Sequence, residues 1–434
     1  MQKVPLPHSD NPRIVIIGGG FAGIKLIKKL KNELVQIVLF DRNNYHTFQP
    51  LLYQVATAGL EPDSIADPLR KQLEPVKNFF FRMGEVYSVN PDQKTISTEI
   101  GDVDYDYLVL ATGSQTNYFG NESIMQNGFP LKQIPQALDL RSHILQNFEA
   151  ANITTDADEL ASRMTVVIVG GGPTGVEVAG AMGELKKNIL PGDYPELDFE
   201  KMQIILLEGE SRLLLGMSDE SGKRALRYLD KFHVDVRLNT MVKSYDGLVA
   251  DLAEGGTINT HTLIWAAGVK GNFPKGLNEN AIERGRIKVD EYSKIHGHDN
   301  IFAIGDIASM VTKDFPKGHP MLAPVAIQQG QHLADNLKLL LKQKTLKPFK
   351  YTDNGAMATI GRNKAVADIG KMRVGGFAAW LIWMFVHLVS IIGFRNKIIV
   401  FSNWVWNYFT YDKGTRLIIR KFIPKNKIKE DISA

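Results

Sequence analysis

An α/β architecture of two similar halves, followed by a separate helical tail, is predicted by three observations. A Val- and Ile-rich strand runs into a glycine turn twice, at "RIVIIGGGFAG" (13–23) and "TVVIVGGGPTG" (165–175). Each turn opens a segment of helical spacing, and each is followed by an apolar strand ending in an acid, Asp41 or Glu208. A later strand in each half closes on small residues, at "YLVLATGS" and "HTLIWAAGV". Strand, Gly-x-Gly-x-x-Gly turn and helix in that order make a Rossmann-type βαβ unit, so each half is expected to bind a dinucleotide. The shared order of four features reads as an internal duplication.

The elements follow in sequence. "RIVIIGGG" is a fully apolar strand, and "FAGIKLIKKLKN" is a helix with apolar residues at helical spacing and lysines opposite. "VQIVLFD" is a second buried strand, and Gly18 and Asp41 are 23 positions apart, the span of one βαβ unit. "YDYLVLATGSQ" (105–115) is a further strand, and a polar segment of helical character connects it to the second half over roughly 121–160. There "TVVIVGGG", "GVEVAGAMGELKKN" and "QIILLEG" repeat the pattern, with 38 positions between Gly170 and Glu208 because "ILPGDYPELDFEK" lengthens the crossover. "NIFAIGDIA" (300–308) is another short strand, "APVAIQQGQHLADNLKLLLKQK" a helix, and "AMATIGRNKAVADIG" a strand pair. The expected domains are a first dinucleotide domain in two parts, 11–120 and 291–370, a connecting segment 121–160, a second dinucleotide domain inserted at 161–290, and a tail at 371–434.

Composition narrows the chemistry. The 434 residues are 44% hydrophobic and 23% charged, ordinary values for a globular chain long enough for two or three cores. The cysteine count is zero, which excludes disulfide scaffolds, thiolate metal or iron–sulfur sites and any redox-active Cys pair. The opening "MQKVPLPHSDNPR" lacks the apolar core of a signal peptide, so the N-terminus is expected to remain in the compartment of synthesis. The net charge of +4 is uneven: between Arg395 and Lys429 nine Lys/Arg face one acid, Asp412. Such a basic tail suits an anionic partner, nucleic acid or phospholipid headgroups. Nucleic acid is the weaker reading, because the tail's aromatics are embedded in apolar runs.

That tail breaks the α/β pattern. "VGGFAAWLIWMFVHLVSIIGF" (374–394) has no formal charge apart from His387, and "IIVFSNWVWNYF" (398–409) follows a short basic break. Four of the five tryptophans, Trp380, Trp383, Trp404 and Trp406, fall here. Twenty-one uncharged residues suffice to span a bilayer, a Trp-rich stretch with Lys/Arg beside it suits the membrane interface, and a buried dimer helix is the third option.

Individual residues carry competing roles. Asp41 and Glu208 suit ribose hydroxyls and oppose a 2′-phosphate, which favours NADH over NADPH, although Arg212 lies close enough in sequence to weaken that preference. Asp306 in "IFAIGD" suits a second polyol such as a flavin's ribityl chain, or simply caps a turn. Glu177, two residues past Gly175 and expected in the first turn of its helix, either complements the helix dipole or handles a proton near the reacting rings.

The ordered set "IVIIGGGFAG", "YHTFQPLLYQVATAGLEPDSIA", "YLVLATG", "VVIVGGGPTGVEVAG", "IFAIGD", "APVAIQQG" and "GFRNKIIVFSNWVWNYFTYDKGTRLI" resembles a type II NADH dehydrogenase over about residues 11–422. That family comprises single-subunit, non-proton-pumping NADH:quinone oxidoreductases of respiratory membranes. The resemblance implies non-covalent FAD on the first unit, at Gly18, Gly20, Phe21, Ala22, Gly23, Asp41 and Arg42, with Thr112, Gly113, Asp306 and Ala326 completing the site. It implies NADH on the second, at Gly170, Gly172, Pro173, Thr174, Gly175 and Glu208, with Ala267 and Gly268. The family's Ala-Gln-x-Ala-x-Gln segment, near the quinone, reads Ala323-Pro324-Val325-Ala326-Ile327-Gln328 here, followed by Gln329. Pro324 removes one amide, so Gln328 and Gln329 are the quinone candidates. Glu177 is the catalytic candidate, and no metal is expected. The resemblance further implies peripheral (monotopic) attachment of the C-terminal region to the cytoplasmic face of the inner membrane, a homodimer, and menaquinone or ubiquinone as acceptor.

Rival functions separate on chemistry. Disulfide reductases and sulfide:quinone reductases of this plan need cysteines. A reductase of a soluble redox partner has no use for an apolar Trp-rich tail. A redox-sensing flavoprotein would bind FAD and NADH without reducing a quinone.

Overall fold

The computed structural model describes residues 2–419 and 422–423. Arg420, Lys421, Lys425, Lys427 and Lys429, which supply most of the basic tail, lie outside the described residues. The chain forms two compact units: one of residues 1–47, 67–115 and 269–353, the other of 48–66, 116–268 and 354–434.

The first unit is built on five parallel strands in the order Ile301–Ala303, Tyr107–Leu110, Arg13–Ile17, Gln36–Asp41 and Phe79–Met83. Parallel strands need cover on both faces, which is why Ile14, Ile16, Val38 and Leu39 are all fully buried. The Phe21–Leu30 and Ala323–Leu341 helices cover one face with Ile24, Leu26, Ile27, Leu333 and Leu337. The other face carries a second cluster that includes Val15, Ile17, Ile287 and Ile307.

The second unit repeats the plan, with parallel strands in the order Phe129–Pro130, Thr262–Trp265, Thr165–Val169, Gln203–Leu207 and Val234–Arg237. The expected connecting segment is largely helical, with Ile134–Ala151 its longest element. The strand pair expected near residue 360 is present as Ala356–Thr359 and Ala365–Ile369, extended by Met372–Gly375.

Three sequence expectations differ from the structure. Residues 48–66 group with the second unit, because the Leu52–Ala56 helix packs on Ile134–Ala151 and on Pro173–Asn188. Residues 354–370 do so too, because Gly180 admits the backbone of Ile360: a Cβ at Gly180 would stand 2.7 Å from the Ile360 carbonyl carbon. Residues 269–290 group with the first unit, where Arg286–Val289 pairs with Ala308–Met310. The uncharged run at 374–394 is also not one element. It gives a strand end, a helix at Gly376–Ser390 and a break at Ile391–Gly393, where Gly393 takes φ +87° before the Phe394–Thr410 helix. Fifteen residues rise about 22 Å against a hydrocarbon core of about 30 Å. Among the described residues no helix is long and apolar enough to cross a membrane.

Candidate functional site

The two glycine turns have nearly the same backbone. Gly18 takes φ +108° and Gly170 takes +109°, a region that disfavours any side chain. A Cβ on Gly170 would lie 2.6 Å from the Ala266 carbonyl oxygen, and one on Gly18 would strike the carbonyl of Ala111. Gly20 and Gly172 have open space where a Cβ would stand, at the N-termini of the Phe21–Leu30 and Pro173–Asn188 helices. Gly23 and Gly175 bring each helix against the carbonyl of its own turn, Gly18 or Gly170. An open approach to a helix N-terminus over a side-chain-free turn fits a pyrophosphate.

An acid closes each turn from the next strand. Gly19 N–H donates to Asp41 Oδ2 (2.6 Å) and Asn43 N–H to Asp41 Oδ1 (2.8 Å). Burial raises the pKa of this carboxyl, and the two amides act against that shift. Gly171 N–H donates to Glu208 Oε2, and Glu210 N–H to Glu208 Oε1 (2.9 Å). Arg212 is committed elsewhere: its guanidinium donates to the carbonyls of Leu215 (3.0 Å), Met217 (3.1 Å) and Leu214 (3.4 Å). It therefore does not offset the carboxylate of Glu208.

The remaining first-unit residues gather near that turn. Thr112 Oγ1 donates to the Asn272 carbonyl, and Asn272 N–H to the Gly113 carbonyl (3.1 Å). Ser114 Oγ donates to Asp306 Oδ2 (2.6 Å), so Asp306 is more than a turn cap. Ala22 and Ala326 pack where a Cβ on Gly305 would be, 3.5 Å from each. Phe21 meets His46 edge-on at 4.8 Å between centroids, and His46 Nδ1 lies 3.2 Å from the Gly19 carbonyl. Arg42 is exposed beside Asp41, whose pKa its charge lowers, and its guanidinium lies 3.9 Å from Glu85.

The two glutamines have local duties. Gln329 is 1% exposed and its Oε1 accepts from Gly305 N–H (2.7 Å), which fixes the turn bearing Asp306. Gln328 clamps Thr352 with a two-way amide pair, both bonds 2.9 Å.

In the second unit Pro173 and Thr174 are exposed at the helix N-terminus, while Ala267 and Gly268 follow the strand that ends at Trp265. The Trp265 indole donates to the Asn117 carbonyl (2.8 Å), and Asn117 N–H returns a bond to the Gly268 carbonyl (3.0 Å).

Glu177 corrects an expectation. Its helix begins at Pro173, so Glu177 is in the second turn, inside the protein and not at the dipole's positive end. It is 8% exposed, and burial pushes its carboxyl up to about 8, with the Thr359 amide and the Trp383 indole acting the other way. It faces a pocket that opens to solvent, whose lining it shares with Tyr53, Glu184, Trp383, Trp404 and Lys413. A buried acid that keeps its proton at neutral pH is chemically a donor.

Residues 12–330 match the pyridine nucleotide-disulphide oxidoreductase family model, and residues 354–411 match the NDH2 C-terminal domain. The chain is 37% identical, over 95% of its length and 90% of the relative's, to the type II NADH:quinone oxidoreductase NdhA of Mycobacterium tuberculosis. The chain belongs to the type II NADH:quinone oxidoreductase family. It is 29% identical to the Staphylococcus aureus type II NADH:quinone oxidoreductase, over 86% of this chain and 93% of that one. Its fold resembles NDH2 of Plasmodium falciparum, solved in complex with NADH, at a TM-score of 0.86 and 21% identity, covering 94% of this chain and all of that one.

Within this member of the family, sequence reasoning passed over Ser114, His46, Tyr53 and Trp383. Ser114 directly follows the Thr-Gly turn and could have been flagged by position. Tyr53 and Trp383 reach Glu177 only through tertiary packing, and no local pattern announces them.

Proposed function

We propose that this type II NADH:quinone oxidoreductase carries electrons from NADH through resident FAD to a membrane quinone, without pumping protons. The observation that carries the reading is the pair of matched turns, each closed by its own carboxylate, with a buried acid on the second helix only. FAD, when bound, would supply a two-electron carrier able to take hydride from NADH and to reduce a quinone. The chain's own residues do the rest. Gly18, Gly20 and Gly23 with the helix N-terminus at Phe21 and Ala22 take the FAD pyrophosphate, Asp41 its adenosine ribose, and Thr112, Gly113, Ala326 and Asp306 its inner half. Gly170, Gly172 and Gly175 with Pro173 and Thr174 take the pyrophosphate of NADH, while Glu208 accepts from the ribose hydroxyls and repels a 2′-phosphate. Ala267 and Gly268 leave backbone room for the nicotinamide half.

Glu177 holds a proton away from bulk water and releases it for quinol formation, a step that a buried carboxyl near 8 is suited to make at neutral pH. Gln329 and Gln328 serve the quinone side by fixing backbone, at Gly305 and Thr352, and not as direct ligands.

The C-terminal helices are proposed to lie in the membrane interface. Support comes from Phe377, Phe385, Val389, Phe394, Phe401 and Phe409, each about half or more exposed, while Trp383, Val400 and Trp404 turn inward. Attachment at the cytoplasmic face of the inner membrane and a homodimer formed through the same region complete the reading.

Protein reconstituted on phospholipid vesicles should oxidise NADH only when quinone is supplied, and NADPH far more slowly. Loss of NADH binding with quinone reduction intact, or quinone-independent turnover, would reject it.

A further inference from the structure

The Pro173–Asn188 helix presents two acids and one small residue to this cavity: Glu177, Ala181 and Glu184 all line it. Their spacing of four and three residues puts them on one helix face, with Glu177 and Glu184 about 10 Å apart along the axis. Ala181 between them leaves the space open. Glu177 is buried, whereas Glu184 is half-buried and meets solvent.

The reaction requires such a path. NADH supplies two electrons and one proton as hydride, and converting a quinone to a quinol takes two electrons and two protons. One proton per turnover must therefore come from water. If Glu177 provides it, as proposed above, a buried carboxylate is left that must be reprotonated through the protein.

Other groups lining the same cavity suit that transfer. Tyr53 lines the same cavity, and its hydroxyl accepts from Gln54 Nε2 (2.9 Å), which leaves its own O–H to donate. Both Glu177 and Glu184 raise the Tyr53 pKa, after burial itself, so the phenol lies within electrostatic reach of each. Arg362 and Lys413 line the cavity at the Glu184 end, and Lys364 also feels Glu184. Trp380, Trp404 and Tyr408 wall much of the remainder, with Gln54, Thr57 and Asn407 adding polar groups to the lining. The Arg362 backbone N–H donates to Glu184 Oε1 and fixes the carboxylate at this position.

We propose that Glu184 is the solvent-side station that returns a proton across this cavity to Glu177. In each turnover an O–H bond of water breaks as the proton joins the Glu184 carboxylate. It then passes through cavity water and the Tyr53 hydroxyl to the Glu177 carboxylate, which had released its own proton to the reduced quinone oxygen. No electron moves in the relay, and Glu184 is a positioning residue that acts through Glu177.

The test reads proton access directly, apart from turnover. In the FAD-loaded protein, the infrared carbonyl band of protonated Glu177 is identified by its absence from the Glu177→Gln variant, and its shift is timed after dilution into D₂O. Glu184→Gln keeps an oxygen to accept from Arg362 N–H and should slow this exchange by about tenfold. Glu184→Asp should restore most of the rate, and reduction of the flavin by NADH should be unchanged in both variants. Exchange within about twofold of the parent in Glu184→Gln would overturn the relay. Turnover of Glu177→Gln at the parent's rate would overturn the reading of Glu177 and the relay with it. A slow Glu177→Gln beside unaltered exchange in Glu184→Gln would overturn the relay alone.

Discussion

The two glycine turns share φ to within a degree at Gly18 and Gly170, and differ in what surrounds them. The first is completed from distant parts of the chain: Thr112–Ser114, the Gly305–Asp306 turn held by Gln329, and Ala326. Its carboxylate, Asp41, is buried deeply enough for its pKa to rise. The second is open at its front, where Pro173 and Thr174 are exposed, but has an acid buried behind it, Glu177. Enclosure suits a cofactor that stays, and an open approach suits a substrate that must leave after each turnover. On the proposed assignment, one supersecondary unit serves two kinetic roles, separated by what later segments add to it.

Substitutions at the two turns separate their roles. Gly18→Ala sets a Cβ against the Ala111 carbonyl in a left-handed backbone, at about 3 kcal/mol or more. It should abolish FAD retention, seen as colourless protein after purification, whereas Gly170→Ala should leave the protein yellow and unable to bind NADH. Identical outcomes for the two would erase the distinction between resident and visitor.

Glu177→Gln should lower quinone-dependent turnover by about 10²-fold. In the parent, turnover should decline as pH rises through about 8, where the donor loses its proton. Stability has the same direction. The native carboxyl holds its proton up to about 8 while an ordinary glutamate releases it near 4.5, so the folded state weakens as pH rises between those values. Thermal midpoints across that window should fall in the parent and stay flatter in Glu177→Gln.

Glu208→Gln should narrow the preference for NADH over NADPH in kcat/KM by about tenfold, or about 1.4 kcal/mol. The change is bounded because Arg212 is occupied by carbonyls and offers the 2′-phosphate nothing. The smallest effect belongs to Ser114→Ala, which removes one bond to Asp306 and should weaken FAD by about 1–2 kcal/mol in equilibrium dialysis.

The readable part of the fold was the local part. Both turns, their helices and the acids Asp41 and Glu208 follow from apolar runs and fixed spacings, and all are where the sequence indicates. Glu177 was visible as a residue but not as a buried acid, because Thr359 and Trp383 arrive from 182 and 206 positions away. Gln329 was noticed as an amide near the quinone segment, while its bond to Gly305 depends on how a helix lies over a turn. The run at 374–394 reads as one apolar stretch, since hydropathy cannot show that Gly393 takes φ +87° and ends continuity there. Likewise, nothing in "QPLLYQVATAGL" indicates that its short helix packs with the second unit.

If FAD is held at the first turn and electrons pass from NADH at the second to a quinone, anaerobic titration of the purified protein will show it, with the visible absorbance of oxidised flavin as the signal. Stoichiometric NADH should remove that absorbance and added quinone should restore it, with the flavin remaining bound throughout. Absorbance that persists under NADH, or that quinone fails to restore, would contradict the account.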